Sequence, residues 1–302
     1  RSAGLWGLWG LAVAAVVSGD FSGWNFGIGF AGFGGMLIAF AVLIFMYYGM
    51  MFSIGEMAGA MPHSGGAYSF ARSAMGPWGG FITGLAETIE YVATTAVVFV
   101  WYIILYAVFV LLNSAGSAIS FKFAIVVSII SIAILLVFSV MAVFSGKLDF
   151  NSLWNIAPEE GQNAFLPFGW LPILFALPYA MWFFLGIEEL PLAAEESHDP
   201  VRDIPRAGLI ARTTLIVTGL LVLFLNTALV GAEGISAAGE PLLDGFRAMV
   251  GDGAAAVLAL FALIGLLASL QGIMFAYGRN MYSLSRAGYY PKVLSLTGKR
   301  ET

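Results

Sequence analysis

Val17-Ser18-Gly19-Asp20-Phe21-Ser22-Gly23 lies inside an apolar run that begins near Leu5 and continues to about Phe30. Two glycines and two serines weaken a helix there, and Asp20 sets a carboxylate at membrane depth. A helix needs none of these residues merely to cross a bilayer. Backbone that leaves the helix within lipid is tolerated only where it lines a cavity or is buried in protein. A second stretch, Trp182-Phe183-Phe184-Leu185-Gly186-Ile187-Glu188-Glu189, repeats the pattern: an apolar span interrupted by glycine and followed at once by acid. Two broken hydrophobic segments, one in each half, are the sequence mark of a transporter built from inverted repeats.

The composition agrees with a membrane solvent. Hydrophobic residues make up 60% of the 302 and charged residues 10%, against about 25% charged in a soluble domain. Mean hydropathy is +0.91. The chain has no cysteine, which excludes disulfides, thiol catalysis and thiolate metal sites. Its two histidines, His63 and His198, fall in different loops, so no metal site is expected. The net charge of -5 matters less than its distribution. The chain starts at Arg1 and stops at Thr302 in a basic loop, and reads as a piece of a longer protein. The apolar N-terminal run is not a cleaved signal, because apolar residues continue past Asp20 and many spans follow.

A span needs about 20 apolar residues. Eight are expected: residues 5–30, broken at 18–23; 34–57; 79–100; 101–113; 123–144; 172–192, broken at Gly186; 209–230; and 254–277. Between the second and third, Pro62 to Gly66 forms a loop and residues 67–75 an interfacial helix. From Gly79 to Leu112 no polar turn occurs, and one helix of that length would be roughly 50 Å long. Two spans are therefore read there, with the connection placed between Val100 and Trp101. That reading gathers Arg1, Arg72, Lys122, Arg202, Arg206, Arg212, Arg279, Arg286, Lys292, Lys299 and Arg300 on the cytoplasmic side, leaving only Lys147 and Arg247 outside. The outer loops are residues 147–169 and 231–253, the latter with a short helix at 242–250.

The first break offers Asp20, the hydroxyls of Ser18 and Ser22, and free backbone groups around Gly23. A carboxylate repels anions and attracts a cation, so the substrate or coupling ion is positive. The other role open to Asp20 is to cap the second half-helix. At the second break, Trp182 and Phe183 can close over a cation, or pack; Phe184 is assigned to packing. Of the adjacent acids, one is expected to face the site or the other half-helix and the other the bundle, with Glu188 chosen for the first. Thr83, Glu87, Glu90, Tyr91 and Thr94 share one helix face. Glu87 and Glu90 either relay protons and shape an acidic cavity or tie helices together. Ser269 and Gln271 are minor site residues, and Glu56 is structural. No catalytic set and no nucleotide fingerprint is present.

Glu56-Met57-Ala58-Gly59-Ala60-Met61-Pro62-His63-Ser64-Gly65-Gly66-Ala67-Tyr68 resembles the signature loop of the amino acid–polyamine–organocation permeases. Glu195-Glu196-Ser197-His198-Asp199-Pro200-Val201-Arg202-Asp203-Ile204-Pro205-Arg206-Ala207 resembles the loop after that superfamily's sixth span. Ser18 to Asn25, Thr88-Ile89-Glu90-Tyr91 and Pro191-Leu192-Ala193-Ala194-Glu195-Glu196 are similar to the ethanolamine permease branch. The resemblance implies an all-α polytopic protein with a LeuT-like five-plus-five inverted-repeat fold, its first and sixth helices broken, truncated here after the eighth span. It implies a multi-pass protein of the inner membrane, with substrate between the breaks and the third and eighth spans closing the site. It aligns Trp182 with an aromatic over the substrate and Glu188 with an acid of gating or proton coupling. The superfamily's amino acid carriers usually place a Gly-Ser-Gly type break against the substrate carboxylate; Asp20 departs from that pattern, and ethanolamine has no carboxylate.

The expected function is secondary transport of a small cationic amine, ethanolamine foremost, by alternating access. The expected substrate site comprises Asp20, Ser18, Ser22, Gly23, Glu90, Tyr91, Trp182, Phe183 and Gly186. Glu188 and Glu87 are the gating or proton-coupling residues. The coupling ion is a proton or Na+; no cofactor, metal or nucleic acid is called for, and the surroundings are a lipid bilayer. A cationic amino acid or polyamine carrier, a cation channel and a permease-like sensor are the alternatives.

Overall fold

The computed structural model describes residues 3–62, 65–95, 99–114 and 116–297. His63 and Ser64 of the first signature loop lie outside them, as do Arg1, Lys299 and Arg300. The described residues form helices and turns, with one isolated bridge, Ala3 to Ser197, in place of any sheet. In chain order the helices are α1 (Leu5–Val16), α2 (Ser18–Phe21), α3 (Phe26–Ala60), α4 (Gly66–Thr95), α5 (Phe99–Ser114), α6 (Ser117–Phe144), α7 (Ile173–Met181), α8 (Pro200–Val230), α9 (Ala232–Ser236), α10 (Pro241–Val250) and α11 (Asp252–Arg286). Four of them, α3, α6, α8 and α11, are long and apolar enough to cross a membrane. This is the pattern of a polytopic membrane fold.

Side-chain placement follows the solvent. On α6 the outward residues Val126, Ile129, Leu136, Val140 and Val143 are apolar and exposed. Its serines face inward: Ser128 donates to Gly10 O at 2.8 Å, Ser131 to Val127 O at 2.7 Å and Ser139 to Leu135 O at 2.8 Å. Apolar residues outside and hydroxyls tied to carbonyls inside are what hydrocarbon demands. On α4, Ile82, Leu85, Ile89 and Val92 are exposed while Gly84 and Tyr91 are buried, a stripe of helical period.

The core lies around α1, which packs against α6, α8, α11 and the 3-10 segment Ile187–Glu196. Two long helices are bent where glycine has positive φ: α3 at Gly32 and α4 at Gly76. The second bend separates the interfacial Gly66–Met75 from the membrane part of α4. Gly66 packs on Leu192, while Ser114, at the far end of α5, shares a cavity with Glu195 and Glu196. The chain thus reverses between Gly66 and Ser114. The connection expected between Val100 and Trp101 is not there, because α5 runs through both; α4 ends at Thr95, and residues 96–98 lie outside the described ones.

Two further expectations change. The second signature loop is largely helix: α8 begins at Pro200, with the Asp199 side chain accepting from Arg202 N–H at 3.4 Å and proline at the first position. Arg212, counted by sequence among the basic residues of the cytoplasmic side, is fully buried. Its guanidinium donates to the carbonyls of Leu43 and Ile44 on α3 and lies 3.9 Å from the Tyr48 ring centroid. Aromatic faces and helix carbonyls replace water for this cation.

Candidate functional site

The two breaks meet. α1 and α2 are one helix line parted at Val17, where α11 intervenes: the Ser269 hydroxyl donates to Ala14 O at 2.9 Å and accepts from Ser18 N–H at 3.1 Å. An uninterrupted helix would join those two groups directly, so a hydroxyl has been inserted into its ladder. After Phe21 the chain leaves helical geometry, with Ser22 extended and Gly23 at φ 93°. In the second break, α7 ends at Met181, and turns run to Gly186 at φ 103°, a left-handed conformation that favours glycine. A 3-10 helix then carries Ile187–Glu196. The backbones touch at Gly19: a Cβ there would stand 1.7 Å from Trp182 O, so only glycine fits.

A small, narrow cavity opens at this meeting point. Its lining is Ala15, Val16 and Ser18 from the first break, Glu90 and Tyr91 from α4, Trp182, Leu185, Gly186 and Glu189 from the second break, and Ile273 from α11. Of the residues expected at the site, Ser18, Glu90, Tyr91, Trp182 and Gly186 are brought together here. Gly23 stands behind, its position under the Trp182 ring at 3.5 Å. Ser22 lines a separate cavity with Phe21, Glu240 and Phe246 beneath α10.

The remaining expected residues do not line the central cavity. Phe183 is fully buried between Trp24 and Phe40, at centroid distances of 5.7 and 5.0 Å. Phe184 packs on Phe40 and Tyr47. Glu188 turns back on the break itself, accepting from Gly186 N–H at 3.1 Å. Its neighbour Glu189 lines the cavity instead. Glu87 has a buried Oε2 without a hydrogen-bond partner among the described residues. Asp20 points away from the cavity toward α8, where Oδ2 and the Thr218 hydroxyl share a hydrogen bond of 2.5 Å.

Sequence reading missed Glu189 because a 3-10 helix advances the side chains by a different angle from an α-helix. It also missed Thr218, whose partner is 198 residues away and which alone reads as an ordinary helix hydroxyl. It gave Ser269 only a minor place, though a serine in an apolar span was the available signal.

Residues 7–302 match the family model described as amino acid permease. The chain belongs to that family. It falls accordingly within the amino acid–polyamine–organocation superfamily. The permease chain is 26% identical over 309 residues to an uncharacterised transporter of Rhizobium meliloti, covering 94% of this chain and 65% of that protein. It is 27% identical over 319 residues to a probable GABA permease of Pseudomonas aeruginosa, with 95% and 65% covered. It is 25% identical over 293 residues to the aromatic amino acid transport protein AroP of Escherichia coli, with 88% and 62% covered. The permease chain thus spans a little less than two thirds of the length of these relatives.

Proposed function

We propose that the protein is a secondary carrier of a small cationic amine, with ethanolamine as the leading substrate, working by alternating access in the inner membrane. The observation that carries this reading is the lining of the central cavity. Glu90 and Glu189 bring two carboxylates, Trp182 and Tyr91 bring aromatic surface, and no cationic side chain is among the lining residues. Such a site attracts an ammonium by charge and by aromatic faces. It offers no guanidinium or ammonium of its own to a substrate carboxylate. The two breaks, touching at Gly19, favour a LeuT-like arrangement in which the broken segments move against α4 and α11.

A second reading has support from the relatives. Named permeases of GABA and of aromatic amino acids handle zwitterions, whose carboxylate would have to be met by backbone N–H groups at the breaks. Uptake of radiolabelled ethanolamine into proteoliposomes, with arginine, putrescine, choline, GABA and phenylalanine as competitors, separates the two. Inhibition by unlabelled ethanolamine and not by GABA or phenylalanine is expected. Uptake of those amino acids with none of ethanolamine would sink the amine reading and leave the carrier reading in place.

A further inference from the structure

Asp20, the one acid of the first break, has no part in the cavity just described. Its side chain is fully buried. Oδ2 has one partner, the Thr218 hydroxyl, and Oδ1 has none among the described residues. An ionised carboxylate accepts at about four lone-pair sites and is costly to bury with most of them empty. The groups around it are neutral. On α8 they are Thr218 and Gly219, where a Cβ would lie 3.4 Å from Oδ1 and 2.8 Å from the Phe183 ring. On α11, Gly265 meets the Phe21 ring and Ser269 is held by Ala14 and Ser18. The second break contributes the Trp182 carbonyl, beside Gly19, and Phe183. The intramembrane cation of α8, Arg212, is engaged by α3 and by Tyr48.

We propose that the Asp20–Thr218 pair is a proton-binding site of the carrier, separate from the amine cavity. The hydrogen bonds close with one added proton. Asp20 Oδ2–H donates to Thr218 Oγ, and the Thr218 hydroxyl donates in turn to Thr214 O, 3.2 Å away. Oδ1 is then the carbonyl of a neutral acid, which tolerates an apolar wall far better than a carboxylate oxygen does. Loss of the proton leaves a charge between the break and α8 with the Thr218 hydroxyl as its one donor among the described residues. The two segments can stay packed only while the proton is bound, and separation lets water reach the acid. Proton occupancy and the packing of the break against α8 are thereby one equilibrium.

This assignment rests on the carrier reading for its consequence, coupling, but not for its test. Infrared spectra of the full-length protein in lipid nanodiscs are recorded for the wild type and Asp20→Asn across the neutral pH range. The wild-type-minus-variant difference is expected to contain a carboxylic acid C=O band that shifts in deuterium oxide. Thr218→Val should move that band to higher frequency, and Thr218→Ser should leave it in place. A difference spectrum with only a carboxylate band, or sodium binding lost in Asp20→Asn, would overturn the proposal. Ethanolamine binding by the wild type is measured separately on the same discs. Its absence would overturn the carrier reading, and the acid band would still report on Asp20.

Discussion

At the scale of single residues, the two adjacent acids after Gly186 have opposite tasks. Glu188 closes the break by accepting from Gly186 N–H, whereas Glu189 lines the cavity. Hydrogen bonds to charged groups contribute about 1.5–3 kcal/mol, which is roughly tenfold to a hundredfold in affinity. Glu189→Gln should therefore weaken ethanolamine binding at least about tenfold. Glu188→Gln keeps a carbonyl oxygen for Gly186 N–H and should cost less than about threefold, or roughly 0.6 kcal/mol. Competition binding on the purified variants ranks them; a larger effect at Glu188 would return the site to the sequence-based choice. The geometry departs from that choice for a local reason. The pair Glu188-Glu189 is visible in sequence, but which one faces inward depends on the left-handed turn at Gly186 and the 3-10 helix that follows. Neither is fixed by composition. Asp20 and Thr218 teach the same lesson over distance: the acid is obvious in an apolar run, and its partner 198 residues on is not.

At the scale of elements, the two breaks were legible because glycine and serine are poor helix interiors and an apolar span has no other use for them. What sequence did not reveal is that the first break is held open from outside. Ser269 on α11 takes both Ala14 O and Ser18 N–H, so α1 and α2 depend on a third helix for their hydrogen bonds. Serine elsewhere in the bundle mostly bonds to its own helix, as Ser131 and Ser139 do. Ser269→Ala strands a buried donor and a buried acceptor. Each unsatisfied group costs about 1–3 kcal/mol, so the variant should lose thermal stability in detergent, with a midpoint several degrees below wild type. Ser145→Ala provides the comparison, since that hydroxyl bonds locally to Ala142 O at the end of α6. Equal midpoints for the two variants would mean that the inserted hydroxyl does not hold the break. The bends at Gly32 and Gly76 and the helical start at Pro200 belong to the same level. The glycines and the Asp-Pro cap were present in the sequence, but each supports a turn as readily as a bend or a helix start.

At the scale of the molecule, contacts at its two ends sort the charges. At one end Ala3 N–H donates to Glu196 O at 2.9 Å, Arg279 pairs with Glu196, Gly59 packs on Val201, and the Tyr289 hydroxyl donates to Pro77 O at 2.8 Å. At the other, Lys147 Nζ donates to Ala248 O and Met249 O, both at 2.9 Å, and Asn155 Oδ1 accepts from Glu233 N–H at 3.0 Å. Asn25 Nδ2 fastens the loop of α9 to this second end through Ile235 O and Ala238 O. Arg72, Arg202, Arg206, Arg279, Arg286 and Lys292 lie toward the first end, Lys147 and Arg247 toward the second. Lysine and arginine are enriched in cytoplasmic loops, because translocating them across the membrane is disfavoured. The first end is thus expected to face the cytoplasm. The sequence carries no cysteine, so single thiols report cleanly. In intact cells a membrane-impermeant maleimide should label Glu160→Cys, in the loop between α6 and α7. It should label Ser73→Cys, before the Gly76 bend, only after permeabilisation. Reversed labelling would turn the molecule over and put the Arg279–Glu196 end outside.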